Sequence, residues 1–550
     1  MQKKVLIVGG VAGGASAAAR LRRLDEKAKI IIFERGEHIS YANCGLPYYV
    51  SGVISERDAL LVQTPQGMKG RFEVDVRTQS EVTRIFPMQK EIEILEKNGR
   101  RYIEAYDVLI LSPGAAPVRP PIPGINDVEP FVVRNVTDID RIKGYIDTQH
   151  PKTAAVVGGG FIGLEMAENL HVRGVETTII EMSNQVMAPL DYEMAAILHD
   201  HIFNKGVNLI LEDGVKAFTK NDKGTLITLQ SGSEVQTDMV ILAIGVKPEI
   251  KLAKEAGLAI GDLGGIKVNE KLQTSDPNIY ALGDAIEVKN FVTGQPALIP
   301  LAGPANKQGR IVADVIAGKN STYEGTQGTS IAKVFDLAAA STGANEKTLK
   351  KLGIPYEVSF THSASNAGYY PGATRLSTKL IFDRKSGRIL GAQIVGSQGV
   401  DKRIDDIAGV IRHYGTVFDL QDLELAYAPP FSSAKDPVNM AGYVAGNIIS
   451  GDVEIVHWHE VKDMNPKEIC ILDVRTIEER KGKFIPGSLH IPIDELRSRL
   501  SELPKDKDIV VYCEIGLRGY LAYRILKQHG FTHVKDLSGG WVTYYPAVFG

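Results

Sequence analysis

Residues 3–24, KKVLIVGGVAGGASAAARLRRL, combine an apolar strand, a glycine-rich turn and a helix of small residues. Residues 153–174, TAAVVGGGFIGLEMAENLHVRG, repeat that order. Each stretch leads to a second apolar strand that ends in an acid, Glu34 in IIIFER and Glu181 in TTIIEM. Nearly continuous apolar strands around one helix are typical of parallel βαβ units. Because one such unit can bind one dinucleotide, the repeat predicts an α/β fold with two Rossmann-like dinucleotide-binding domains.

The first glycine turn opens a helix directly after the strand VLIV. Glycines let a pyrophosphate approach the backbone at a helix N-terminus, where free N–H groups favour anions. Glu34 is placed to bind a ribose hydroxyl. In GxGxxG register Val11 occupies the middle position, so an ordinary glycine-rich turn is the alternative. The predicted cofactor contacts here are Gly9, Gly10, Gly13, Gly14, Glu34 and Arg35.

The second glycine turn matches GxGxxG fully and lies between a strand and a helix. Glu181 is placed to bind the adenine-ribose 2′-hydroxyl and to repel a 2′-phosphate, which favours NADH over NADPH. Glu165, just past the turn, either approaches the nicotinamide or caps the helix. The predicted contacts are Gly158, Gly160, Phe161, Ile162, Gly163, Glu165, Glu181 and Gly245.

Composition limits the class of protein. A chain of 550 residues is too long for one core and predicts three or four domains. Its formal charge of -3 and pI near 6.5 give no electrostatic case for a nucleic acid or membrane partner. Only three cysteines are present, which favours a reducing cytoplasm over a disulfide-stapled secreted protein.

Two further motifs carry a family resemblance. The segment IYALGD, which ends in Gly283 and Asp284, resembles the second FAD motif of the flavoprotein disulfide reductase superfamily. The segment LILSPGA, with Ser112, Pro113 and Gly114, resembles the motif of that superfamily that crosses between the nucleotide domains. The resemblance implies that Asp284 contacts the ribityl chain of FAD.

Cys44 lies in SYANCGLPYY, where the superfamily positions its redox cysteine beside the flavin ring. Relatives of glutathione reductase carry a second cysteine five positions later, but here that position is Tyr49. Without this partner, Cys44 is predicted to attack a sulfur substrate directly and to form a mixed disulfide or release a persulfide. The alternative for an isolated cysteine is a buried structural role.

The Cys44 motif resembles the single-cysteine subgroup of coenzyme A-disulfide reductases, persulfide reductases, NADH oxidases and NADH peroxidases. The oxidases and peroxidases usually carry a histidine in the first glycine turn, whereas VAGGAS here favours a thiol-type substrate. Ser16, Arg20 and Arg23 lie near one helix face and suit phosphates, although a solvated face is the alternative. The resemblance extends the coenzyme A site to Ser16, Arg20, Arg23, Ser40, Asn43, Arg71, Asn306 and Lys435.

Residues 329–450 resemble the dimerisation domain of the family, which implies a homodimer. In the coenzyme A-disulfide reductase subgroup, tyrosines at the positions of Tyr369 and Tyr427 reach into the active site of the partner subunit. A phenol there could donate a proton to the leaving thiolate. A purely packing role is the alternative for the neighbouring Tyr370.

The segment DIVVYCEIGLRGY resembles the active loop of a rhodanese domain. Cys513 precedes a helix, whose N–H groups are expected to lower the pKa of the thiol and to stabilise a persulfide anion. Arg518 adds positive charge, while Glu514 occupies a position where the family often has arginine. Cys470, in an apolar strand, is predicted to be inert.

The predicted organisation is α/β with an α+β dimerisation domain and a C-terminal α/β rhodanese domain. Its segments are an FAD domain in 1–115 and 246–328, an NAD(P)H domain in 116–245, a dimerisation domain in 329–450 and a rhodanese domain in 453–550. The expected activity is FAD-dependent reduction, by NADH or NADPH, of persulfides or disulfides linked to coenzyme A. An NADH oxidase or peroxidase, and a sulfurtransferase or sulfur sensor with a non-catalytic flavin core, stay open as alternatives.

Overall fold

The structure is a computed structural model that describes residues 2–550. It divides into two compact units. The first consists of the chain up to Ser183 together with Ile210–Gly328. The second consists of Asn184–Leu209 together with Thr329–Gly550.

The first unit contains a five-stranded parallel sheet. Its strands, in spatial order, are Ile279–Ala281, Val108–Leu111, Lys4–Val8, Lys29–Phe33 and Asp75–Arg77. Leu6, Ile7 and Ile31 have no solvent exposure, which explains the unbroken apolar runs of these strands. The helices Ala12–Leu24 and Ala302–Ile316 pack closely, because Gly309 brings their backbones together: a Cβ there would lie 2.4 Å from the carbonyl oxygen of Gly13. The first glycine turn lies at the carboxyl end of strand Lys4–Val8, directly before helix Ala12–Leu24.

A second parallel sheet in the same unit repeats this arrangement around the second glycine turn. Strand Thr153–Val157 lies between Glu176–Ile180 and Met239–Leu242, and helix Phe161–Val172 follows the turn. The unit also contains two antiparallel three-stranded sheets, which comprise Ser80–Phe86, Glu91–Glu96 and Arg101–Ala105, and Val215–Asn221, Gly224–Leu229 and Glu234–Thr237. Two smaller sheets comprise Ala115–Pro117 with Val246–Pro248, and Ile266–Lys267, Ile286–Lys289 and Pro296–Ala297. The other helices are Leu46–Ser51, Pro65–Phe72, Ile125–Val128, Val136–Gln149 and Lys251–Glu255.

The second unit begins with a five-stranded antiparallel sheet. Its strands, in spatial order, are Ser330–Val334, Leu337–Gly343, Ile389–Gly396, Arg375–Phe382 and Glu357–Ala364. The helices packed with it are Tyr192–Asn204, Glu346–Leu352, Val400–Arg412, Val417–Asp422 and Pro437–Ser450. Lys379, with no exposed side-chain area, forms ion pairs with Asp191, Glu193 and Glu346. This buried charge cluster attaches the segment around Asp191 to the antiparallel sheet.

The C-terminal part of the second unit is a five-stranded parallel sheet. Its strands, in spatial order, are Ile455–Val456, Val534–Leu537, Ile509–Tyr512, Cys470–Asp473 and Leu489–His490. Its helices are Trp458–Lys462, Ile477–Arg480, Leu517–Gln528 and Gly540–Phe549. It packs on the antiparallel sheet through polar contacts: His362 Nε2 lies 2.8 Å from Thr543 Oγ1, and His457 Nε2 lies 3.1 Å from Glu357 Oε1.

This architecture confirms the predicted fold class: two Rossmann-like parallel sheets, an α+β block and a C-terminal α/β block. Among residues 2–550, none of the helices has the length and apolar character needed to cross a bilayer.

Candidate functional sites

The two glycine turns have the same backbone geometry. Gly9 and Gly158 adopt φ angles of 95° and 108°, which favour glycine. A Cβ on Gly14 would lie 2.0 Å from the carbonyl oxygen of Gly9, and one on Gly163 would lie 1.9 Å from that of Gly158. Glycine is therefore required at both outer positions of each turn, because any side chain would collide with the backbone.

The middle position of the motif carries no such constraint. Val11 and Gly160 are the N-caps of their helices, with φ angles of -87° and -80° that any residue adopts. A Cβ on Gly160 would meet nothing within 4 Å. The valine in the first turn therefore leaves the turn geometry intact, and the departure from GxGxxG affects only how closely a ligand approaches there.

The acid after the first βαβ unit is held by the backbone. Glu34 accepts hydrogen bonds from the N–H groups of Gly10, at 3.1 Å, and Gly36, at 2.8 Å. Arg35 is exposed and forms an ion pair with Glu249, at 2.7 Å. The Glu34 carboxylate is thus fixed beside the helix N-terminus, where an adenosine ribose would bind.

The acid after the second unit repeats this arrangement. Glu181 accepts hydrogen bonds from the N–H groups of Gly159, at 2.7 Å, and Ser183, at 2.8 Å. Gly245, with φ of 100°, lies after strand Met239–Leu242, which borders the strand that leads into this turn. Both nucleotide turns therefore present a carboxylate in a fixed position, as the duplicated sequence predicts.

The predicted flavin-binding segments meet the first glycine turn. A Cβ on Gly9 would lie 2.0 Å from the carbonyl oxygen of Ser112, so the Ser112–Pro113–Gly114 segment crosses directly over the turn. Asp284 lies at the start of a short 3-10 helix with Gly283. Burial raises the pKa of Asp284, and no hydrogen bond within residues 2–550 ends on its carboxyl group. A half-buried acid that lacks a protein partner fits a ligand rich in hydroxyl groups, such as the ribityl chain of FAD.

Cys44 lies in the turn Asn43–Gly45, directly before helix Leu46–Ser51. It is a free, exposed cysteine. Partial removal of water from around the sulfur raises the pKa of the thiol, and the negative charges of Glu165 and Asp284 raise it further. These three effects favour the thiol over the thiolate. Glu165 follows the second glycine turn and Asp284 ends the second FAD motif, so both predicted nucleotide sites interact electrostatically with this sulfur.

Tyr48 is a site residue that the sequence reasoning missed. Its hydroxyl lies 3.4 Å from Glu165 Oε1. Burial raises the pKa of Glu165 to about 7, so this carboxyl is half-protonated near neutral pH. Burial and the Glu165 charge also raise the pKa of Tyr48. The signal was present in SYANCGLPYY, where Tyr48 follows Cys44 by one helical turn.

The predicted coenzyme A residues are only partly brought together. Ser16 and Asn306 form a hydrogen bond between helices Ala12–Leu24 and Ala302–Ile316. Arg20 forms an ion pair with Asp314, at 2.8 Å, which reduces the positive charge available to a phosphate. Arg23, Arg71 and Asn43 are exposed, and Ser40 has φ of 45°. Lys435 belongs to the other unit.

Tyr369 and Tyr427 meet in the second unit. Their hydroxyl oxygens lie 2.9 Å apart, and both side chains are exposed. The hydrogen bond with Tyr369 raises the pKa of Tyr427. Tyr370, beside them in sequence, is also exposed. The two tyrosines singled out from the sequence therefore form one pair on the surface of the dimerisation block.

The Cys513 loop shows the expected N–H groups but not the expected acidity. The Gly516 N–H donates to Cys513 Sγ at 3.1 Å, and the N–H groups of Ile515 and Gly519 lower the pKa of the thiol as well. Burial is the larger effect, however, and together with Asp536 it raises the pKa of Cys513 above its ordinary value. The expectation of a lowered pKa was therefore wrong, because Cys513 has no solvent exposure.

The charged residues of this loop are already paired. Arg518 donates two hydrogen bonds to Glu479, at 2.6 and 2.8 Å. Glu514 lies 3.4 Å from the buried Arg475. Cys470 lies at the start of strand Cys470–Asp473, half-buried, and burial raises the pKa of its thiol. This agrees with the inert role predicted for Cys470.

The fold and these sites define a pyridine-nucleotide-linked reductase with an appended sulfur-handling domain. The family model "Pyridine nucleotide-disulphide oxidoreductase" matches residues 3–309, and the dimerisation domain of the same family matches residues 329–437. The rhodanese-like domain matches residues 457–547. The chain therefore belongs to the pyridine nucleotide-disulphide oxidoreductase family, for which FAD and a pyridine nucleotide are the cofactors.

Named relatives and solved structures support this family assignment. Coenzyme A disulfide reductase from Staphylococcus haemolyticus (strain JCSC1435) is 37% identical over 448 residues, which cover 81% of this chain and 100% of the relative. The structure of reduced CoADR-RHD from Bacillus anthracis is 57% identical, covers 100% of this chain and 98% of its own, and has a TM-score of 0.97. The NAD-dependent persulfide reductase from A. fulgidus is 40% identical, covers 98% and 100%, and has a TM-score of 0.93.

Proposed function

We propose that this chain is an FAD-dependent reductase in which NADH or NADPH supplies electrons for the cleavage of sulfur–sulfur bonds attached to coenzyme A. Cys44 is the proposed redox residue, and Cys513 is the proposed carrier of sulfane sulfur. The observation that carries the proposal is the position of Cys44: a free, exposed thiol acted on by Glu165 of one nucleotide motif and Asp284 of the other. The names of the relatives support coenzyme A disulfide or persulfide as substrate.

The cofactors would be held by the residues described above. Glu34, Asp284 and the first glycine turn would hold FAD, and Glu181 with the second turn would hold the nicotinamide coenzyme. When bound, the flavin would supply two-electron transfer from the coenzyme to sulfur. The proposed segments are 1–115 and 246–328 for FAD, 116–245 for NAD(P)H, 329–450 for dimerisation and 453–550 for the rhodanese domain.

The chain would perform the sulfur chemistry through Cys44. As a thiolate, it would attack a sulfur of the substrate, the S–S bond would break, and coenzyme A would leave as its thiolate. The product on the protein would be a mixed disulfide from a disulfide substrate, or a cysteine persulfide from a persulfide. Two electrons and a proton from the nicotinamide coenzyme would then restore Cys44 and release thiol or sulfide. Glu165, with a pKa of about 7, is placed to hold or release a proton at neutral pH.

The paired tyrosines would protonate the leaving thiolate. Tyr369 and Tyr427 lie in the dimerisation domain, and we propose that they act in the site of the partner subunit of a homodimer. Protonation lowers the charge cost of thiolate departure. The proposed substrate contacts are Ser16, Arg20, Arg23, Ser40, Asn43, Arg71, Asn306 and Lys435.

The test is an anaerobic assay of NADH oxidation by the purified holoenzyme with coenzyme A persulfide or coenzyme A disulfide. We expect turnover with at least one of them, its loss in Cys44→Ser, and its retention in the matched control Cys470→Ser. Rapid NADH turnover with oxygen or peroxide, independent of sulfur substrates, would instead support an oxidase or peroxidase. Thiosulfate-dependent sulfur transfer that needs Cys513, without any NADH-linked turnover, would support a sulfurtransferase.

A further inference from the structure

Two loops of the second unit carry the tyrosine pair. Tyr369 lies in residues 365–374, here called the first tyrosine loop, and Tyr427 lies in residues 423–436, the second tyrosine loop. The two side chains are 76% and 47% exposed, so packing around the rings does little to hold them. Long loops without secondary structure of their own are mobile unless other contacts restrain them. The mutual position of the two phenols therefore depends on how the bases of the loops are held.

The bases of both loops contact one side chain, Arg403 of helix Val400–Arg412. In the first tyrosine loop, Arg403 Nη2 donates to the carbonyl oxygen of Ser365, at 3.0 Å. In the second, Nη2 donates to the hydroxyl oxygen of Ser432, at 3.1 Å, and lies 3.4 Å from the carbonyl oxygen of Phe431. Ser365 and Ser432 are 3% and 0% exposed, so these contacts are shielded from water. One guanidinium group therefore joins two loops that are distant in sequence.

The guanidinium group is itself fixed by a buried ion pair. Arg403 is 2% exposed and pairs with Asp436, at 3.1 Å. Burial alone would raise the pKa of Asp436, but hydrogen bonds from Ser432 and the Val438 N–H, together with the Arg403 charge, lower it below its ordinary value. Asp436 is therefore ionised at neutral pH. It also caps helix Pro437–Ser450 by accepting the Val438 N–H at 3.0 Å, so the second tyrosine loop is anchored to a helix as well.

The start of the arginine's own helix leaves room for the guanidinium group. Gly399 is the N-cap, with φ of 71°, and a Cβ there would lie 2.0 Å from Arg403 Nη1. Nη1 instead donates to the Gly399 carbonyl oxygen, at 3.2 Å, while Nε lies 3.4 Å from Asp436 Oδ1. The planar fork of an arginine can serve all these acceptors at once. A lysine has the same charge, but its single ammonium group cannot reach them together.

The two tyrosine loops also meet directly, through longer contacts. The Ala367 N–H donates to the carbonyl oxygen of Pro429, at 3.3 Å. Lys402 Nζ lies 3.5 Å from the carbonyl oxygen of Ala426 in the second loop. Both distances exceed the usual range for a hydrogen bond with a nitrogen donor. The shorter, buried guanidinium contacts are therefore the stronger link between the loops.

We propose that Arg403 is a positioning residue, which sets the hydrogen bond between Tyr369 and Tyr427 by holding the bases of both loops and so aligns the phenol that protonates the leaving thiolate. Arg403 acts through the tyrosines and needs no contact with the substrate. Its consequence for catalysis rests on the proposed role of the tyrosine pair. Its effect on the geometry of the pair does not, so the two can be measured separately.

The first experiment measures the pair without catalysis. Full-length holoenzyme is labelled with 3-fluorotyrosine, whose fluorine lowers the phenol pKa into a range that a folded protein tolerates. The fluorine NMR signals of the pair are assigned by their loss in Tyr369→Phe and Tyr427→Phe. Because the hydrogen bond with Tyr369 raises the pKa of Tyr427, Tyr369→Phe should lower that pKa.

Arg403→Lys should lower the pKa of Tyr427 as Tyr369→Phe does, because the two phenols separate when the loops are no longer joined. Arg412→Lys, at the other end of the same helix, is the matched control and should leave the titration unchanged. A wild-type titration of Tyr427 in Arg403→Lys would overturn the proposal.

The second experiment measures the consequence for turnover of coenzyme A persulfide or disulfide. Arg403→Lys should lower kcat by about 10-fold, because a phenol displaced by about 1 Å loses much of its effect on the reaction. The KM for the sulfur substrate and the rate of flavin reduction by NADH should stay the same, since neither depends on a proton from the pair. In a Tyr427→Phe background, Arg403→Lys should cause no further loss.

Equal losses of kcat in the two backgrounds would mean that Arg403 makes a general structural contact, and would contradict the proposal. Full activity of Tyr427→Phe would instead remove the tyrosines from the proposed reaction. The fluorine titration would then still show whether Arg403 sets the geometry of the pair, so the two failures are distinguishable.

Ser432→Ala is the second variant, for use if Arg403→Lys does not fold. It removes one acceptor of the guanidinium group and keeps the ion pair with Asp436, so the pKa of Tyr427 should fall by a smaller amount. Ser433→Ala is its matched control, because it removes a neighbouring hydroxyl and keeps the carbonyl group that Ser432 contacts. Identical titrations of Tyr427 in Ser432→Ala and Ser433→Ala would count against the proposal.

Discussion

The hydroxyl oxygens of Tyr369 and Tyr427 lie 2.9 Å apart, although 58 residues separate them in the chain. Tyr369 lies between strands Glu357–Ala364 and Arg375–Phe382, and Tyr427 lies between two helices. The hydrogen bond between them raises the pKa of Tyr427, which keeps this phenol protonated at neutral pH. One phenol can therefore donate to a substrate sulfur while the other supports it.

The first prediction concerns this pair. Tyr427→Phe is expected to lower kcat for the persulfide or disulfide by about 100-fold, the usual effect of losing a general acid. The substrate KM should change little, because the phenyl ring keeps the packing. Tyr370→Phe is the matched control and should retain kcat, because the Tyr370 hydroxyl takes no part in the hydrogen bond between Tyr369 and Tyr427. Full activity in Tyr427→Phe would remove the tyrosine from the mechanism.

The second prediction concerns the acidity of Cys44. The Glu165 carboxylate raises the pKa of this thiol, so Glu165→Gln should shift the pH profile of Cys44 alkylation to lower pH. The effect should be confined to pH values above about 7, where Glu165 is ionised. The measurement is the rate of iodoacetamide modification against pH, in holoenzyme that carries Cys513→Ser. Glu176→Gln, at an exposed strand position, should leave the profile unchanged; an equal shift in both variants would contradict the assignment.

The third prediction concerns coenzyme choice. The Glu181 carboxylate is fixed by the N–H groups of Gly159 and Ser183, so it cannot swing away from a 2′-phosphate. Glu181→Ala should reduce the preference of kcat/KM for NADH over NADPH by at least about 10-fold, through loss of a ribose contact and of charge repulsion. Glu234→Ala, an exposed acid of the same unit, is the control. An unchanged ratio would mean that other residues select the coenzyme.

The sequence predicted those features that depend on short segments. The glycine turns, Glu34 and Glu181 could be located because backbone sterics and the helix N-terminus act within one βαβ unit. The acidity of Cys513 was predicted wrongly, since helix N–H groups are a local effect whereas burial and Asp536 depend on tertiary packing. For the same reason the sequence could not reveal that Arg20 is paired with Asp314, 294 residues away.

The fourth prediction concerns the buried charge of Lys379. Lys379→Met would leave Asp191, Glu193 and Glu346 without their cation, at a cost of about 3–5 kcal/mol. Thermal unfolding, followed by circular dichroism, should show a clearly lower Tm than for the control Lys385→Met, at an exposed position. The pH dependence follows from Glu346, whose pKa is lowered to about 2 by Lys379. Its contribution is present above the ordinary pKa of 4.5 and is lost as the pH falls towards about 2. An unchanged Tm in Lys379→Met would contradict this account.

The last prediction connects the antiparallel sheet to the Cys513 loop. Helix Gly540–Phe549 begins with N–H groups that hold this loop: Trp541 donates to the carbonyl oxygen of Cys513, at 2.8 Å, and Val542 to that of Glu514, at 3.0 Å. Thr543, the next residue of this helix, forms a hydrogen bond with the buried ring of His362, at 2.8 Å. Burial lowers the pKa of His362 to about 3, so the ring is neutral and needs Thr543 as a hydrogen-bond partner.

Thr543→Val keeps the shape of the side chain but leaves one ring nitrogen unsatisfied, which should cost about 1–3 kcal/mol. Because the same helix holds the carbonyl groups of the loop, the variant should slow sulfur loading of Cys513 and speed amide hydrogen exchange in Gly540–Phe549. NADH-linked reduction at Cys44 should change less. Thr532→Val, at an exposed position in the same domain, should alter none of these rates. If Thr543→Val slowed both activities equally, the hydrogen bond would be a general stability contact, and the loop would not depend on the sheet that carries His362.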